Sequence, residues 1–208
     1  MAAMVGRACA LCDAVRSRSS FVSTKRDSTP VTLADFAAQM LVSLELRRAF
    51  GGSVRLLSEE DVSYLEDEAL REAVCSTVRE FAPPSLRELA DTDMLARAAE
   101  VSISSGESSP PPPGSSGWFV LDPIDGTRGF TRTEGGGDSQ YAIGLAFVDK
   151  GKGPTAGAIG LPNWRWPIAI AVDSGAARPT LFSPRAGGVI AWCDLHWARG
   201  GGEKAVCT

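Results

Sequence analysis

Two aspartates near the middle of the chain, Asp122 and Asp125, lie in the segment WFVLDPIDGTRGF, residues 118–130. The apolar residues WFVL that precede them have the composition of a buried strand. The Pro and Gly that follow predict a turn, so both carboxylates would flank a bend and point at one spot. Two negative charges held so close are unfavourable unless a cation or proton lies between them, and Mg²⁺ prefers such oxygen ligands. The alternative interpretation is a plain β-turn between a strand and a helix.

The residues directly after Asp125 have a composition that suits an anion. Gly126, Thr127, Arg128 and Gly129 follow in order and offer backbone N–H groups and one hydroxyl. Such groups bind phosphate oxygens where a turn leads into a helix. The central segment therefore combines candidate ligands for a cation with candidate donors to an anion.

Further carboxylates stand at the predicted ends of other elements. Asp35 follows Thr32 by three residues, which is a helix-start pattern, and Glu59 opens an acidic run after the short apolar segment 54–57. Asp35 has an alternative role as an acid favoured by the helix dipole, and the acidic run could be a solvated face. In open α/β sheets, however, ligands collect at strand ends. Four carboxylates beside a Thr form the inventory of a metal-assisted phosphoryl-transfer site.

The elements that must position these residues are predicted from periodicity and from helix and strand breakers. We expect two N-terminal helices, a helical region that breaks at Pro83-Pro84, a short strand before the acidic run, an antiparallel hairpin after the central motif, and a mobile Pro/Ser-rich loop. The ranges are 4–18 and 34–50 for the two helices, 62–101 for the helical region, 54–57 for the strand, 140–148 and 155–161 for the hairpin, and 104–117 for the loop. Residues 168–172 could form a strand, and residues 173–208 show no clear period.

Composition and charge exclude several classes of function. The chain has 208 residues with a formal net charge of −4, which argues against a basic surface for nucleic acid or for membrane lipids. No apolar run is long enough to span a bilayer. The single histidine is His196, in the segment without a clear period, so Ser-His and Cys-His catalysis have little support.

The five cysteines do not have the spacing of a zinc site, because the pair Cys9 and Cys12 has no second pair. A redox dithiol is one interpretation of Cys9-x-x-Cys12. Small buried residues on the core face of the first helix are the interpretation that we favour. Residues 7–26 are rich in Arg and Ser, as in a transit peptide, but the apolar positions of their first half fit a helix face better.

Four blocks of the sequence resemble those of one enzyme superfamily. They are DSTPVTLAD at 27–35, SEED at 58–61, DPIDGTRGF at 122–130 and GLPN at 160–163. Together they are similar to the signature of the lithium-sensitive, Mg²⁺-dependent phosphatases of the inositol monophosphatase superfamily. The continuation Arg128-Gly129-Phe130 resembles the 3'(2'),5'-bisphosphate nucleotidases more closely than the inositol monophosphatases proper.

The resemblance implies a role for each matched position. Glu59, Asp122 and Asp125 match Mg²⁺ ligands, and Ile124 matches a ligand that uses its backbone carbonyl. Asp35 matches the residue that, with Thr127, orients and deprotonates the attacking water. The backbone amides of Gly126 and Thr127 match the groups that hold the substrate phosphate. Ser58 departs from the usual Gly or Ala, and we expect it to be tolerated.

The fold implied is α/β, a layered sugar-phosphatase-like fold with a mixed, largely antiparallel sheet in its N-terminal lobe. We assign residues 1–170 to this lobe, including the loop 104–117, and residues 171–208 to an atypical C-terminal segment. The second lobe of the family is then missing or rudimentary. Asp194 lies in a weak echo of the Trp-Asp motif of that lobe, with an extra residue between Trp192 and Asp194, and no role is assigned to it.

The implied function is removal of the 3'-phosphate from 3'-phosphoadenosine 5'-phosphate to give AMP, in sulfate assimilation and nucleotide salvage. One alternative is an inositol (poly)phosphate phosphatase, and another is a non-catalytic truncated relative or a fragment from an incomplete gene model. The expected cofactor is Mg²⁺ and the expected partner is a small phosphorylated substrate, with neither nucleic acid nor membrane. A cytoplasmic location is expected, with organellar targeting left open.

Overall fold

The structure is a computed structural model that describes residues 1–18, 22–24, 30–60, 65, 67–104, 115–131, 140–162, 168–172, 180–183 and 188–192. Its helices are α1 (Ala2–Arg18), α2 (Leu33–Phe50), α3 (Glu68–Phe81), α4 (Pro84–Arg87), α5 (Asp91–Ala99) and α6 (Thr127–Thr131). Its strands are β1 (Val22–Thr24), β2 (Pro30–Thr32), β3 (Leu56–Ser58), β4 (Ser102–Ser104), β5 (Gly117–Asp125), β6 (Ala142–Asp149), β7 (Gly153–Gly160), β8 (Ile168–Val172), β9 (Thr180–Ser183) and β10 (Gly188–Trp192).

The main sheet contains eight of these strands in the order β10-β9-β8-β7-β6-β5-β3-β4. Strand β3 pairs in parallel with β4 and β5, and the other neighbours in this sheet are antiparallel. Strands β1 and β2 form a separate antiparallel pair. The prediction of an α/β fold with a mixed, largely antiparallel sheet is therefore confirmed.

Helix α2 is the central element of the helical layer. All of its residues from Ala34 to Leu46 are buried, and the helix contacts α1, α3, α5 and β5. A helix that is apolar on nearly every side must be enclosed by other elements. Four polar side chains nevertheless lie inside this segment, namely Asp35, Gln39, Ser43 and Glu45.

One of these polar groups holds α1 against α2. The Nε of Arg7 donates a hydrogen bond to Oε1 of Glu45 at 2.7 Å, and Nη2 of Arg7 contacts Oε2 of the same carboxylate. Glu45 is fully buried, whereas Arg7 is about one-third exposed, at 34% of its side chain. Because a buried carboxylate needs a charged partner and hydrogen bonds, this ion pair determines how the two helices dock.

Most of the predicted elements are confirmed. Helices α1 and α2 match the predicted ranges 4–18 and 34–50 to within two residues, and β6 and β7 form the predicted hairpin. The helical region breaks at Pro83-Pro84 as expected, with α3 ending at Phe81. The short strand before the acidic run is observed at Leu56–Ser58, one to two residues later than predicted. The predicted loop 104–117 falls mostly on residues 105–114, outside the described residues.

The prediction that the chain turns between Asp122 and Asp125 is wrong. Strand β5 continues through Asp125, and the chain turns only at Gly126, whose φ of 87° is the left-handed conformation that favours glycine. Pro123 is tolerated because the pairing of β5 with β6 is already irregular between Asp122 and Asp125.

The thiols of the first helix are core residues, as favoured from the sequence. Cys9 is 7% exposed and Cys12 is fully buried, and both belong to the hydrophobic core. Burial raises the pKa of Cys9 to about 12 and that of Cys12 well above its usual value, which opposes the thiolate that redox exchange requires. Cys193, Asp194, His196 and Cys207 lie outside the described residues. Among the described helices, none is both long and apolar enough to cross a membrane.

Candidate functional site

The register of the parallel strands brings two of the predicted ligands to one edge of the sheet. Ser58, the last residue of β3, lies opposite Leu121 of β5. The next residue of each segment is an acid, Glu59 directly after β3 and Asp122 within β5. Because parallel strands that share a register leave the sheet in the same direction, Glu59 and Asp122 emerge beside each other.

A β-bulge in β5 decides how the two aspartates of the central motif are oriented. Asp122 lies opposite Gly144 of β6 and Asp125 lies opposite Ala142, so three steps along β5 match two steps along β6. In a regular strand, residues three apart point to opposite faces. The extra residue of the bulge re-aims the side chains and allows Asp122 and Asp125 to share one side.

The electrostatics of Asp122 indicate that Glu59 and Asp125 each lie near it. Burial raises the pKa of Asp122 to about 6, and the charges of Glu59 and Asp125 act in the same direction. Its Oδ1 atom is buried without a hydrogen-bond partner among the described residues, whereas Glu59 and Asp125 are exposed. A buried carboxylate oxygen beside two further carboxylates has the donor chemistry that a hard divalent cation binds.

The three carboxylates lie near one another, but their oxygens do not surround a single position. No group of three or more His, Cys, Asp or Glu side chains in the described ranges already has the arrangement of a metal centre. The backbone, through the strand register and the bulge, therefore defines this site more closely than the side-chain positions do.

The turn after Asp125 has a compact hydrogen-bonded geometry. The Thr127 hydroxyl donates to the carbonyl oxygen of Ile124 at 3.2 Å. The carbonyl of Gly126 accepts from the N–H of Gly129 at 2.7 Å and from that of Phe130 at 3.2 Å, which starts α6. The carbonyl of Ile124 and the hydroxyl of Thr127, both predicted site groups, are thus in direct contact.

Asp35 is placed in the first turn of α2, and it is only 3% exposed. Its charge acts on the thiol of Cys12, whose pKa is raised by burial first, then by Cys9, and then by Asp35. Asp35 therefore lies close enough to α1 for its charge to act on Cys12. The predicted pairing of Asp35 with Thr127 around a water stays a prediction.

Close backbone contact behind the turn holds it against β6. A Cβ atom built on Gly129 would lie 2.0 Å from the carbonyl oxygen of Gln140. The next residues of the two segments, Phe130 and Tyr141, stack edge to face with ring centroids 5.0 Å apart. Only a residue without a side chain allows this approach, so Gly129 has a packing role that the sequence motif alone does not reveal.

We expect Gly129→Ala to destabilise the fold by about 1–3 kcal/mol, since the new methyl group would force two backbones apart. Gly144→Ala is the matched control, because a Cβ on Gly144 meets nothing within 4 Å. Chemical denaturation of both variants and the parent measures the difference. Equal stability of the two variants would contradict the close approach of Gly129 and Gln140.

Gln39 is a residue of the site region that sequence reasoning did not single out. Its side-chain Nε2 donates to the carbonyl oxygen of Glu60 at 2.8 Å, and its Oε1 accepts from the N–H of Glu60 at 3.1 Å. The available signal was its spacing, because Gln39 lies four residues after Asp35 and so on the same face of α2. A buried amide in a mainly apolar helix layer requires a specific partner.

Comparison with known proteins identifies a family to which the chain is similar. Residues 2–178 match the model of the "Inositol monophosphatase family". The chain is 40% identical over 165 residues to a putative 3'(2'),5'-bisphosphate nucleotidase, mitochondrial, of Arabidopsis thaliana, covering 77% of this chain and 39% of that relative. It is 36% identical over 143 residues to a 3'(2'),5'-bisphosphate nucleotidase of Schizosaccharomyces pombe, covering 67% of this chain and 38% of that relative.

The fold is also found in a solved structure. The crystal structure of extragenic suppressor protein suhB from Bartonella henselae superimposes with a TM-score of 0.50 at 18% identity, covering 86% of this chain and 50% of that one. At this identity the likeness concerns the fold. The chain spans about two-fifths of the length of the curated relatives named above. With the match of residues 2–178, these findings show that the chain belongs to the inositol monophosphatase family.

Proposed function

We propose that this protein is a Mg²⁺-dependent phosphomonoesterase that removes the 3'-phosphate from 3'-phosphoadenosine 5'-phosphate to give AMP. The observation that carries the proposal is the cluster at the bulge of β5, where Glu59 and Asp125 raise the pKa of Asp122. A turn with the composition of an anion site follows this cluster directly. Membership of the inositol monophosphatase family and the names of the curated relatives support the same activity.

The residues present fit Mg²⁺, since Oδ1 of Asp122 is a buried oxygen without a hydrogen-bond partner among the described residues. The carboxylates of Glu59, Asp122 and Asp125 and the carbonyl of Ile124 would hold the cation. All are oxygen donors, and oxygen is the ligand type that Mg²⁺ requires. When bound, the cation would polarise the phosphate and offset the negative charge that develops during transfer.

The remaining site residues orient the reacting groups. In the proposal Asp35 accepts a proton from the attacking water, and Thr127 aligns that water for attack on phosphorus. The Thr127 hydroxyl donates to the Ile124 carbonyl in the structure, so it must rotate away from that oxygen to donate to Asp35. The amides of Gly126 and Thr127 would bind the phosphate oxygens. The oxygen of the attacking water forms the new P–O bond while the P–O bond to the ribose breaks, and the ribose oxygen leaves as a hydroxyl after taking a proton from solvent.

The proposed substrate is a nucleotide and not an inositol phosphate. Both curated relatives described above are named as 3'(2'),5'-bisphosphate nucleotidases, one of them as putative. The sequence after Thr127 continues Arg128-Gly129-Phe130, as in the nucleotidases that it resembles. A role in sulfate assimilation and nucleotide salvage follows from that substrate. The match to the inositol monophosphatase family makes inositol phosphates the second candidate substrates.

We expect phosphate release from 3'-phosphoadenosine 5'-phosphate in the presence of Mg²⁺, and no detectable release from the Asp125→Asn variant. The substitution removes one of the charges that define the cation site. Asp93→Asn, which changes an acid in the first turn of α5, is the control and should retain full turnover. Inositol 1-phosphate and an inositol bisphosphate are assayed in parallel with the purified chain.

The outcomes separate the candidate functions. Preferential turnover of inositol phosphates would reassign the substrate. Turnover that Asp125→Asn leaves unchanged would refute the proposed site. Absence of turnover with every substrate would refute the proposed activity and favour a non-catalytic relative. We also propose that residues 1–170 form the N-terminal lobe and that residues 171–208 form an atypical C-terminal segment. The proposed location of the protein is the cytoplasm. Limited proteolysis and imaging of a tagged chain test the boundary and the compartment.

A further inference from the structure

Three polar side chains form a stripe along the buried helix α2. Asp35, Gln39 and Ser43 are spaced four residues apart, and their exposures are 3%, 3% and 0%. Residues at this spacing lie on the same face of a helix, one turn above another. A polar stripe inside an apolar layer costs stability unless each group has a partner, so its retention calls for a physical explanation.

The partner of Gln39 is the peptide backbone of a single residue. The amide of Gln39 both donates to the carbonyl of Glu60 and accepts from its N–H, at 2.8 and 3.1 Å. A carboxamide offers a donor and an acceptor side by side, which neither a carboxylate nor an apolar side chain of the same length can do. Gln39 thus replaces a neighbouring strand as the hydrogen-bond partner of Glu60.

The hydrogen bonds from Gln39 to Glu60 lie just beyond the point where the strand pairing of the sheet ends. The pairing of β3 with β4 and with β5 ends at Ser58, so Glu59 and Glu60 lie beyond the last residue pair of the described ladder. Glu59 directly follows Ser58, whose register partner Leu121 directly precedes Asp122, so Glu59 lies beside that proposed ligand. The two hydrogen bonds to Glu60 restrict the backbone directly after Glu59, and they connect it to the helix that carries Asp35.

Ser43 continues the stripe away from the site and serves as an internal comparison. Its hydroxyl donates to the carbonyl of Gln39 at 2.8 Å and lies 3.0 Å from the hydroxyl of Ser102. The Ser102 hydroxyl in turn donates to the carbonyl of Ala98 at 3.0 Å. Ser43 is as deeply buried as Gln39, but its hydrogen bonds go to Gln39 and Ser102 and not to Glu59 or Glu60. It therefore supports the packing of α2 without positioning Glu59.

From the proposed phosphatase function and this geometry, we propose that Gln39 is a positioning residue that sets the place of Glu59 relative to Asp122 and thereby the affinity for the divalent cation. Residues that orient metal ligands typically change metal affinity or activity by about 10–100-fold when they are substituted. Nothing in the side chain of Gln39 needs to touch the cation or the substrate for this effect.

The test compares Gln39→Met, Gln39→Glu and Ser43→Ala in the full chain. Mn²⁺ binding is measured by isothermal titration calorimetry, and turnover is measured across a Mg²⁺ series. We expect Gln39→Met to raise the dissociation constant for Mn²⁺ by about 10–100-fold, with turnover recovering at high Mg²⁺. Gln39→Glu keeps the size and one acceptor but loses the donor and turns a carboxylate oxygen toward the Glu60 carbonyl, so it should shift the dissociation constant in the same direction by at least as much. Ser43→Ala should bind Mn²⁺ as the parent does.

The outcomes separate this inference from the function on which it rests. Mn²⁺ affinity that is unchanged in both Gln39 variants, while the parent binds Mn²⁺, would overturn the positioning role and leave the proposed function standing. A parent that binds neither Mn²⁺ nor Mg²⁺ would overturn both. If Gln39→Met does not fold, Gln39→Glu and its thermal unfolding with and without Mn²⁺ decide the matter. An equal loss of affinity in Ser43→Ala would show that the effect is merely structural.

Discussion

Replacement of Asp35 by asparagine is expected to lower kcat by about 10²–10⁴-fold, the usual contribution of a general base. Asparagine has nearly the same shape as aspartate, so the buried first turn of α2 keeps its packing. What is lost is the ability to take a proton from the attacking water. Steady-state kinetics with 3'-phosphoadenosine 5'-phosphate at saturating Mg²⁺ measures the effect.

The metal-binding behaviour of the variant separates this role from that of a ligand. We expect Asp35→Asn to bind Mn²⁺ as the parent does, whereas Asp122→Asn loses both binding and turnover. Thermal unfolding with and without Mn²⁺ gives an independent measure, because a ligand stabilises only the state that binds it. A decrease in kcat of less than threefold in Asp35→Asn would rule out Asp35 as the base.

Replacement of Arg7 by methionine is expected to destabilise the fold by about 3 kcal/mol, which is the lower end of the cost of breaking a buried ion pair. The reason is that Glu45 is fully buried and would be left without its charged partner. The lower end applies because the Arg7 side chain is 34% exposed, so water can approach its position. Denaturant unfolding at neutral pH provides the measurement.

Two further variants test whether the unpaired charge is responsible. Arg18→Met removes an exposed ion pair of the same helix, between Arg18 and Glu80, and should cost far less. The double variant Arg7→Met with Glu45→Met removes both charges, and we expect it to regain most of the lost stability. If the double variant is as unstable as Arg7→Met alone, lost packing and not an unpaired charge is the cause.

The sequence predicted well those helices, strands and turns that depend on residues close together in the chain. The apolar residues of α1 and α2, the prolines after α3 and the Gly- and Lys-containing turn between β6 and β7 depend on neighbours in the chain. The Asp149 carboxylate accepts from the N–H groups of Gly151 and Lys152 at 2.9 and 3.0 Å, which is a local turn interaction of this kind. Such local patterns predict a turn without knowledge of the tertiary structure.

The error at the central motif has a tertiary cause. Pro123 and the Asp-Gly pair indicate a turn locally, but pairing with β6 keeps the chain extended through Asp125. A bulge absorbs the extra residue, and no local rule specifies on which strand a bulge occurs. Gln39 was overlooked for a related reason, since its partner Glu60 lies 21 residues away and follows a different element.

The sequence by itself determined the family and the inventory of the site. Glu59, Asp122 and Asp125, with the Gly-Thr turn beside them, are recognisable because their types and spacing follow from the chemistry of a cation and a phosphate. Only the tertiary structure decided how they are oriented. This orientation depends on contacts between distant segments. The strand register places Ser58 opposite Leu121, the bulge re-aims Asp125, and the amide of Gln39 holds Glu60. The free energy of such contacts is gained only when those segments pack together.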